Sequence, residues 1–142
     1  IGHSIGATTA AFTLSGIGHF SEYQFTVDKL VLINAPKSLS QIIENYSRNR
    51  NELDLMPELT DILEYAFDFK TSDYDLALAL QYVRSRILFI HDEQDNEIPV
   101  ADALSLKEKD ERFLLKLTKG YGHQKILINR EILPAIKEFL IE

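Results

Sequence analysis

Short apolar runs that alternate with helical segments constrain the fold of this chain more than any other feature. The first two runs are KLVLINA at 29–35 and RILFIH at 86–91, and a third, RFLLKL, follows at 112–117. Runs of this length, bounded by breakers such as Pro36, are typical of strands buried in a parallel sheet. Because strands that alternate with helices indicate βαβ units, we predict an α/β fold with three parallel strands.

The segments around these strands have the residue patterns of helices. Residues 4–15 are small and apolar, which would let a helix pack closely on the sheet until Gly16 and Gly18 end it. Residues 39–84 contain amphipathic stretches, separated by the polar connector SRNRNELD, and a shorter helix at 73–83. We predict two more helices, one at 99–109 with a proline in its first turn and one at 130–141 capped by Asn129.

Size and charge limit the kinds of partner that this chain can have. A length of 142 residues suits one domain. The net charge of −7 and the pI near 5.1 speak against nucleic acid or an anionic membrane as a partner, because both need a basic patch. The chain has no cysteine, which excludes disulfides, zinc thiolate sites and cysteine nucleophiles and fits a cytoplasmic location. No apolar run approaches the ~18 residues of a membrane-spanning helix.

The chain begins with IGHSIGATTA, in which residues 2–6 have the pattern G-x-S-x-G. In hydrolases this pattern forms a sharp turn between a strand and a helix, and the turn exposes the serine oxygen above the sheet. Gly2 and Gly6 would let such a turn fold tightly, and the small residues that follow suit the helix. Ser4 is therefore a candidate nucleophile, which needs a histidine base and an acid that orients the base.

Two further polar loops follow predicted strands, HDEQDNEIP at 91–99 and KGYGHQKIL at 119–127. In a parallel sheet both loops lie at the edge that carries Ser4, where ligands bind in open α/β sheets. The second loop provides His123 as the candidate base. His3, beside the serine, is expected to point elsewhere, and His91 to order the first loop. The first loop provides the candidate acids, which are Asp92, Glu93, Asp95 and Glu97.

These motifs, in this order, resemble the C-terminal half of an α/β hydrolase of the bacterial serine-hydrolase, esterase-like kind. In that family a strand often runs into H-G-x-x-D-x-x-V-P. This chain reads H-D-E-Q-D-N-E-I-P, with Asp92 in place of glycine and Ile98 in place of valine. The resemblance covers nearly the whole chain. It implies that Ser4 is the nucleophile, His123 the general base and Asp95 the acid that orients His123.

The resemblance also implies a reaction class. An acyl group would transfer to water through an acyl-enzyme on Ser4, with the backbone N–H of Ile5 as half of the oxyanion hole. The implied partner is a small-molecule acyl substrate such as a carboxylic ester, with no cofactor and no metal ion. Thioesterase, amidase and aminopeptidase activities stay open, because one fold hosts many chemistries. The alternative from another class is a non-catalytic protein that binds a ligand in the hydrolase fold.

The same family often places a helical cap between these strands, which corresponds to residues 39–84 here. The apolar face of the cap would line the acyl pocket. The other interpretation is that these helices simply cover the core. The candidate pocket residues are Tyr46, Met56, Phe67 and Phe69.

The family's sheet also has strands before the serine, and this sequence contains none of them. We therefore expect residues 1–142 to be the C-terminal portion of a single α/β-hydrolase domain. The second oxyanion donor normally comes from a loop after an early strand. Residues 1–142 alone are accordingly expected to be unstable and nearly inactive.

Overall fold

The computed structural model describes residues 1–22 and 25–142 of the chain. Within this part, the strands form one parallel sheet in the order β1-β2-β3-β4. The strands are β1 (Gly2–His3), β2 (Lys29–Ile33), β3 (Arg86–Asp92) and β4 (Phe113–Thr118). Strands β2, β3 and β4 confirm the three that the apolar runs predict, and the fold class is α/β as expected.

Strand β1 is an addition to the predicted sheet. Gly2 and His3 pair in parallel with Leu32 and Ile33 of β2. A strand of 2 residues is too short for a periodic pattern, so no sequence signal marks it. The pairing places the next residue, Ser4, at the carboxyl edge of the sheet.

Seven α-helices connect and flank the strands in the described ranges. They are α1 (Ile5–Ser15), α2 (Leu39–Asn49), α3 (Met56–Phe67), α4 (Leu76–Tyr82), α5 (Val100–Lys109), α6 (Gly122–Lys125) and α7 (Ile132–Ile141). Short 3₁₀ turns lie at Gly18–Phe20, Leu53–Leu55, Thr71–Asp73 and Ile126–Ile128. Among the helices of the described residues, none has both the length and the apolar character needed to cross a membrane.

The middle strands β2 and β3 are buried on both faces, as predicted. One face, which includes Leu32 and Phe89, packs against α1 and α4. The other face, which includes Val31 and Ile90, packs against α7. Full burial of each large apolar side chain stabilises the fold by roughly 1.5–3 kcal/mol. Strands β2 and β3 therefore form the centre of the core on both faces of the sheet.

Several helix ends differ from the predicted boundaries for local reasons. The C-terminus of α1 agrees with the prediction, since the helix ends at Ser15 and the next residue, Gly16, has the left-handed φ of 63° expected of a terminal glycine. Helix α7 begins later than predicted, because Asn129 ends a 3₁₀ turn and its side-chain oxygen accepts from Glu131 N–H instead of capping the helix. Helix α4 begins late because residues 71–73 form a separate 3₁₀ turn, and α5 begins after Pro99 rather than containing it.

The segment 39–84 divides into two parts with different positions. Helix α4 belongs to the core, because Leu76, Ala79 and Leu80 are buried against α1. Helix α2 instead reaches the loop after β3, where Asn45 Nδ2 donates to the Glu97 carbonyl oxygen over 2.9 Å. No residue of α3 whose side chain is described is fully buried. Helix α4 thus covers the core, and a cap formed by helices α2 and α3 stays a prediction.

Candidate active site

Ser4 occupies the sharp turn between β1 and α1. Its φ of 54° and ψ of −132° lie outside the regions that L-residues normally adopt, so the turn is strained. The Ser4 N–H donates to the Ile33 carbonyl oxygen over 2.9 Å, which ties the turn to β2. The turn therefore presents the serine at the edge of the sheet, as the G-x-S-x-G pattern predicts.

The two glycines of this motif have different surroundings. A Cβ atom at Gly2 would lie 2.5 Å from Ala7 Cα and 2.6 Å from the Gly6 carbonyl oxygen. Only glycine fits there, because both neighbours are backbone atoms that cannot move aside. A Cβ atom at Gly6 would meet no atom of the described residues within 4 Å. The predicted steric need for glycine therefore holds for Gly2, and the described residues place no such demand on Gly6.

His123 lies in the loop after β4, at the start of α6, and joins two other predicted site residues. Its Nδ1 lies 2.7 Å from Asp95 Oδ2, and its Nε2 lies 2.8 Å from Ser4 Oγ. A carboxylate can only accept, so Nδ1–H donates to Asp95 and the bare Nε2 accepts from the Ser4 hydroxyl. The three side chains form one hydrogen-bonded chain, although Ser4 and His123 are 119 residues apart.

Asp95 is fixed by its own loop. Its side chain is fully buried, and its Oδ1 accepts from the backbone N–H groups of Glu97 (2.8 Å) and Ile98 (2.9 Å). Burial would raise the pKa of Asp95, but the hydrogen bonds from His123 and from the two N–H groups outweigh it, and the pKa is lowered. Asp95 is therefore a carboxylate at neutral pH, and it holds the His123 ring in one orientation.

The imidazole of His123 is a stronger base than an ordinary histidine. Burial of the ring opposes its protonation, yet its pKa is raised above the ordinary value of 6.5. The hydrogen bond to Asp95 is the main cause of the increase, followed by the charges of Asp95 and Glu97. A higher pKa strengthens the ring as an acceptor for the proton of the Ser4 hydroxyl.

The four candidate acids have separate positions. Asp95 contacts Nδ1 of His123, whereas Glu97 lies toward the opposite ring nitrogen, with Oε2 3.9 Å from Nε2. Glu93 is exposed. Asp92 is fully buried and bonds to the backbone of the loop that carries His123, not to its ring.

Asp92 anchors that loop, residues 119–123, which we call the histidine loop. Its carboxylate accepts from the N–H groups of Gly122 (3.0 Å), Tyr121 (3.2 Å) and Gln94 (3.0 Å), and from the Thr118 hydroxyl (2.8 Å). Burial would raise the pKa of Asp92, but these hydrogen bonds outweigh it and lower the pKa. The Asp92 carboxylate is thus fully hydrogen-bonded, and two of its four donors belong to the histidine loop.

Asn34 and His3 hold the histidine loop from two other strand ends. Asn34, which follows β2, donates from Nδ2 to the carbonyl oxygens of Gly122 (3.3 Å) and His123 (3.1 Å). Its Oδ1 accepts from Asp92 N–H over 3.0 Å. His3 Nε2–H donates to the His123 carbonyl oxygen over 2.8 Å, and the two imidazole centroids are 4.9 Å apart. The expectation that His3 points elsewhere is therefore wrong.

His91 has the ordering role that the sequence predicts. Its ring is fully buried, and its Nε2–H donates to the Ile98 carbonyl oxygen over 3.0 Å, across the loop that carries Asp95. The same nitrogen lies 4.0 Å from Asp95 Oδ2. His91 thus supports the loop rather than the reacting end of the site.

An apolar cavity of about 250 Å³ opens beside the first turn of α1. Its lining comes from α1, α2, α3 and the segment before α4, and consists of Ile5, Thr8, Thr9, Leu39, Ile42, Leu63, Phe69 and Tyr74. Of the predicted pocket residues, Phe69 belongs to this lining, and Tyr46 and Met56 are not among its described members. The Tyr46 ring is half exposed and faces the Arg50 guanidinium. The side chain of Phe67 lies outside the described part of the structure.

The N-terminus of α1 provides the expected position for an oxyanion donor. Ile5 is the first residue of this helix and directly follows Ser4. The first N–H groups of a helix have no partner within it and carry partial positive charge, so they favour a negatively charged oxygen.

Among the described residues, no group of three or more His, Asp or Glu side chains could hold a metal ion.

No model of a known protein family matches this sequence, and a comparison with curated proteins finds no match. Among solved structures, the chain is similar to an esterase from Pyrococcus furiosus, with a TM-score of 0.64 and 15% identity over 98% of this chain and 50% of that one. It is also similar to the esterase domain of a Rhodothermus marinus protein (TM-score 0.60, 15% identity, 98% of this chain and 55% of that one). An esterase from Exiguobacterium antarcticum gives a TM-score of 0.61 and 19% identity over 99% of this chain and 65% of that one. The chain has the α/β-hydrolase fold and spans between 50% and 65% of the length of these three structures.

Proposed function

We propose that this chain carries the catalytic residues of a serine hydrolase that cleaves carboxylic esters through an acyl-enzyme on Ser4. The observation that carries the proposal is the hydrogen-bonded chain from Ser4 through His123 to Asp95, with distances of 2.8 and 2.7 Å. Proton transfer between a nucleophile and its base requires contacts of this length. The three similar structures described above are esterases, which favours an ester as substrate.

Acylation begins when Ser4 Oγ attacks the acyl carbon of the ester. The hydroxyl proton moves to Nε2 of His123, and the carbonyl oxygen of the substrate becomes an oxyanion. The Ile5 N–H, at the positive end of α1, donates to this oxyanion. The His123 imidazolium then gives its proton to the leaving alcohol as the carbon–oxygen bond of the ester breaks.

Deacylation repeats these steps with water. His123 Nε2 takes a proton from the water as its oxygen attacks the acyl carbon, and the same proton returns to Ser4 Oγ when the acid product leaves. Asp95 stays ionised throughout, holding Nδ1–H and stabilising the imidazolium in each half-reaction. None of these steps calls for a cofactor.

The acyl group would occupy the cavity beside Ile5. This cavity of about 250 Å³ has an apolar lining, which suits the acyl chain of an ester. Leu39, Ile42 and Phe69 offer apolar surface to such a chain. Of the predicted pocket residues, Phe69 is the one that would contact the acyl group.

Labelling of the full-length protein with a fluorophosphonate tests the proposal. An activated serine displaces fluoride from phosphorus and keeps the phosphonyl group, which intact mass spectrometry detects as a single adduct. We expect the adduct on Ser4 and none on the Ser4→Ala or His123→Ala variant. An unlabelled wild-type protein, or an adduct at another residue, would contradict the proposal.

Ser4→Ala also separates an enzyme from a ligand-binding protein that keeps the hydrolase fold. The enzyme loses turnover while its affinity for an ester or its product persists, because the cavity is unchanged. A binding protein shows no turnover that depends on Ser4 in the first place. Comparing p-nitrophenyl acetate hydrolysis by wild type and Ser4→Ala therefore distinguishes the two functions.

A further inference from the structure

A second carboxylate stands at the reacting end of the His123 ring. Glu97 Oε2 lies 3.9 Å from His123 Nε2, the nitrogen that bonds to Ser4 Oγ. The Glu97 side chain is 48% exposed, whereas that of His123 is 6% exposed. Glu97 is therefore a charged group on the open side of the site, next to the nitrogen that exchanges protons.

The backbone of Glu97 is held on both sides, which fixes where its side chain begins. Its N–H donates to Asp95 Oδ1 over 2.8 Å, and its carbonyl oxygen accepts from Asn45 Nδ2 of α2 over 2.9 Å. In the described part of the chain, the one ionic contact of the Glu97 carboxylate is with His123. Asp95 already occupies Nδ1, so the Glu97 carboxylate is not needed to orient the ring.

The position of the leaving group follows from the position of Nε2. A leaving alcohol must come within about 3 Å of this nitrogen to receive its proton. Since Glu97 Oε2 is 3.9 Å from Nε2, the leaving oxygen lies no farther than about 7 Å from Oε2. A cationic centre two carbon atoms beyond this oxygen can therefore come within the Debye length of ~8 Å at physiological ionic strength, where salt does not fully screen the carboxylate.

We propose that Glu97 is a specificity-determining residue that favours esters whose leaving alcohol carries a positive charge. The inference rests on the proposed function, because it places the leaving group through the proton-donating role of His123. A cationic centre near the ester oxygen gains an ionic partner in Glu97. The same carboxylate repels an anionic leaving group.

The test compares two acetate esters that differ in one atom. In 3,3-dimethylbutyl acetate, a carbon atom replaces the quaternary nitrogen of acetylcholine, so shape and acyl group stay the same while the charge is lost. The measured quantity is the ratio of kcat/KM for acetylcholine to kcat/KM for the neutral ester, on the full-length protein. The neutral ester reports any general effect of a substitution, so the ratio isolates the effect of charge.

We expect Glu97→Gln to lower this ratio by about two- to fivefold, the strength of a half-exposed ion pair. Raising the ionic strength to about 1 M, where the Debye length is ~3 Å, should lower the wild-type ratio and leave the Glu97→Gln ratio nearly unchanged. Glu93→Gln is the matched control. It removes the same charge from an exposed position of the same loop, so it should leave the ratio as in the wild type.

The outcomes separate this inference from the proposed function. Equal ratios in wild type and Glu97→Gln, with hydrolysis of the neutral ester that depends on Ser4, overturn the role of Glu97 and leave the hydrolase standing. An equal fall in Glu93→Gln and Glu97→Gln also overturns it, because the net charge of the protein then accounts for the preference. Absence of any hydrolysis that depends on Ser4 overturns both.

Discussion

The side-chain amide of Asn34 donates a hydrogen bond of 3.1 Å to the carbonyl oxygen of His123, 89 residues away in the sequence. Asn34 is fully buried and adopts a φ of 43°. Its side-chain oxygen accepts from Asp92 N–H, so one side chain joins the end of β2 to the end of β3 and to the loop after β4. The position of His123 thus depends on a residue that does not touch its ring nitrogens.

Asn34→Ala should therefore weaken both stability and catalysis. The substitution leaves the buried Asp92 N–H without its acceptor, and an unsatisfied buried group costs about 1–3 kcal/mol. We expect the free energy of unfolding to fall by about 3 kcal/mol in urea titrations, because the left-handed φ of residue 34 costs alanine a further ~1–2 kcal/mol. We also expect kcat for an ester to fall at least tenfold, with KM little changed, because a small misplacement of a catalytic group can cost about 10²-fold.

Asn51→Ala is the matched control for that substitution. Asn51 has a φ of 57° and is exposed, so replacing it tests the backbone conformation without the buried network. The free energy of unfolding of Asn51→Ala should fall by no more than about 1–2 kcal/mol, which is the cost of the left-handed conformation for a residue other than glycine or asparagine. If both variants lost the same free energy of unfolding and Asn34→Ala kept its full kcat, the hydrogen bonds of the Asn34 side chain would not position His123.

Much of the fold could be predicted because its strands are long and apolar. The runs at 29–35 and 86–91 are buried on both faces, and burial on both faces leaves a continuous apolar pattern in the sequence. Strand β1 left no such pattern because it is only 2 residues long. The predicted start of α7 is wrong because the Asn129 side chain accepts a hydrogen bond within a turn instead of capping the helix. Asparagine is favoured at both kinds of position, so the sequence does not distinguish them.

The site was predicted less completely than the fold. Ser4, Asp95 and His123 stand in recognisable motifs, and the structure brings them together. Asn34 and His3 act through a backbone carbonyl, which no side-chain motif records, across 89 and 120 residues. The pocket candidates were chosen as large side chains on helical segments, but the pattern could not give the direction in which each side chain points.

The glycines at 2 and 6 should respond in opposite ways to alanine. In Gly2→Ala the new Cβ meets backbone atoms at 2.5–2.7 Å, so the strand and helix must separate. We expect the free energy of unfolding, measured by thermal or urea unfolding, to fall by at least about 3 kcal/mol. Fluorophosphonate labelling should be lost as well. In Gly6→Ala the new Cβ meets no described atom, and alanine favours the helix by up to about 1 kcal/mol. Similar destabilisation by both variants would contradict this assignment.

The pH dependence of hydrolysis should reflect the two carboxylates around His123. Only the neutral ring accepts the Ser4 proton, so kcat/KM should rise with pH as His123 deprotonates. Because the pKa of His123 is raised, the midpoint of this rise should lie above the ordinary 6.5. Glu97→Gln removes one of the charges that raise the pKa, so its midpoint should fall, whereas Glu93→Gln should keep the wild-type midpoint. Identical pH profiles in wild type and Glu97→Gln would contradict this prediction.

The preferred length of the acyl chain should respond to Leu63 of α3, if the cavity beside Ile5 holds that chain as we propose. This side chain lines the cavity beside Ile5, so Leu63→Ala enlarges the space available to an acyl chain. Each additional methylene that becomes buried contributes about 0.8 kcal/mol, which corresponds to roughly fourfold in kcat/KM. We expect the preferred acyl chain, measured with p-nitrophenyl esters from acetate to octanoate, to lengthen by about one or two carbons. Ile62→Ala is the control, since Ile62 is 55% exposed and is not in the described lining. A shift of equal size in both variants, or in neither, would place the acyl chain outside this cavity.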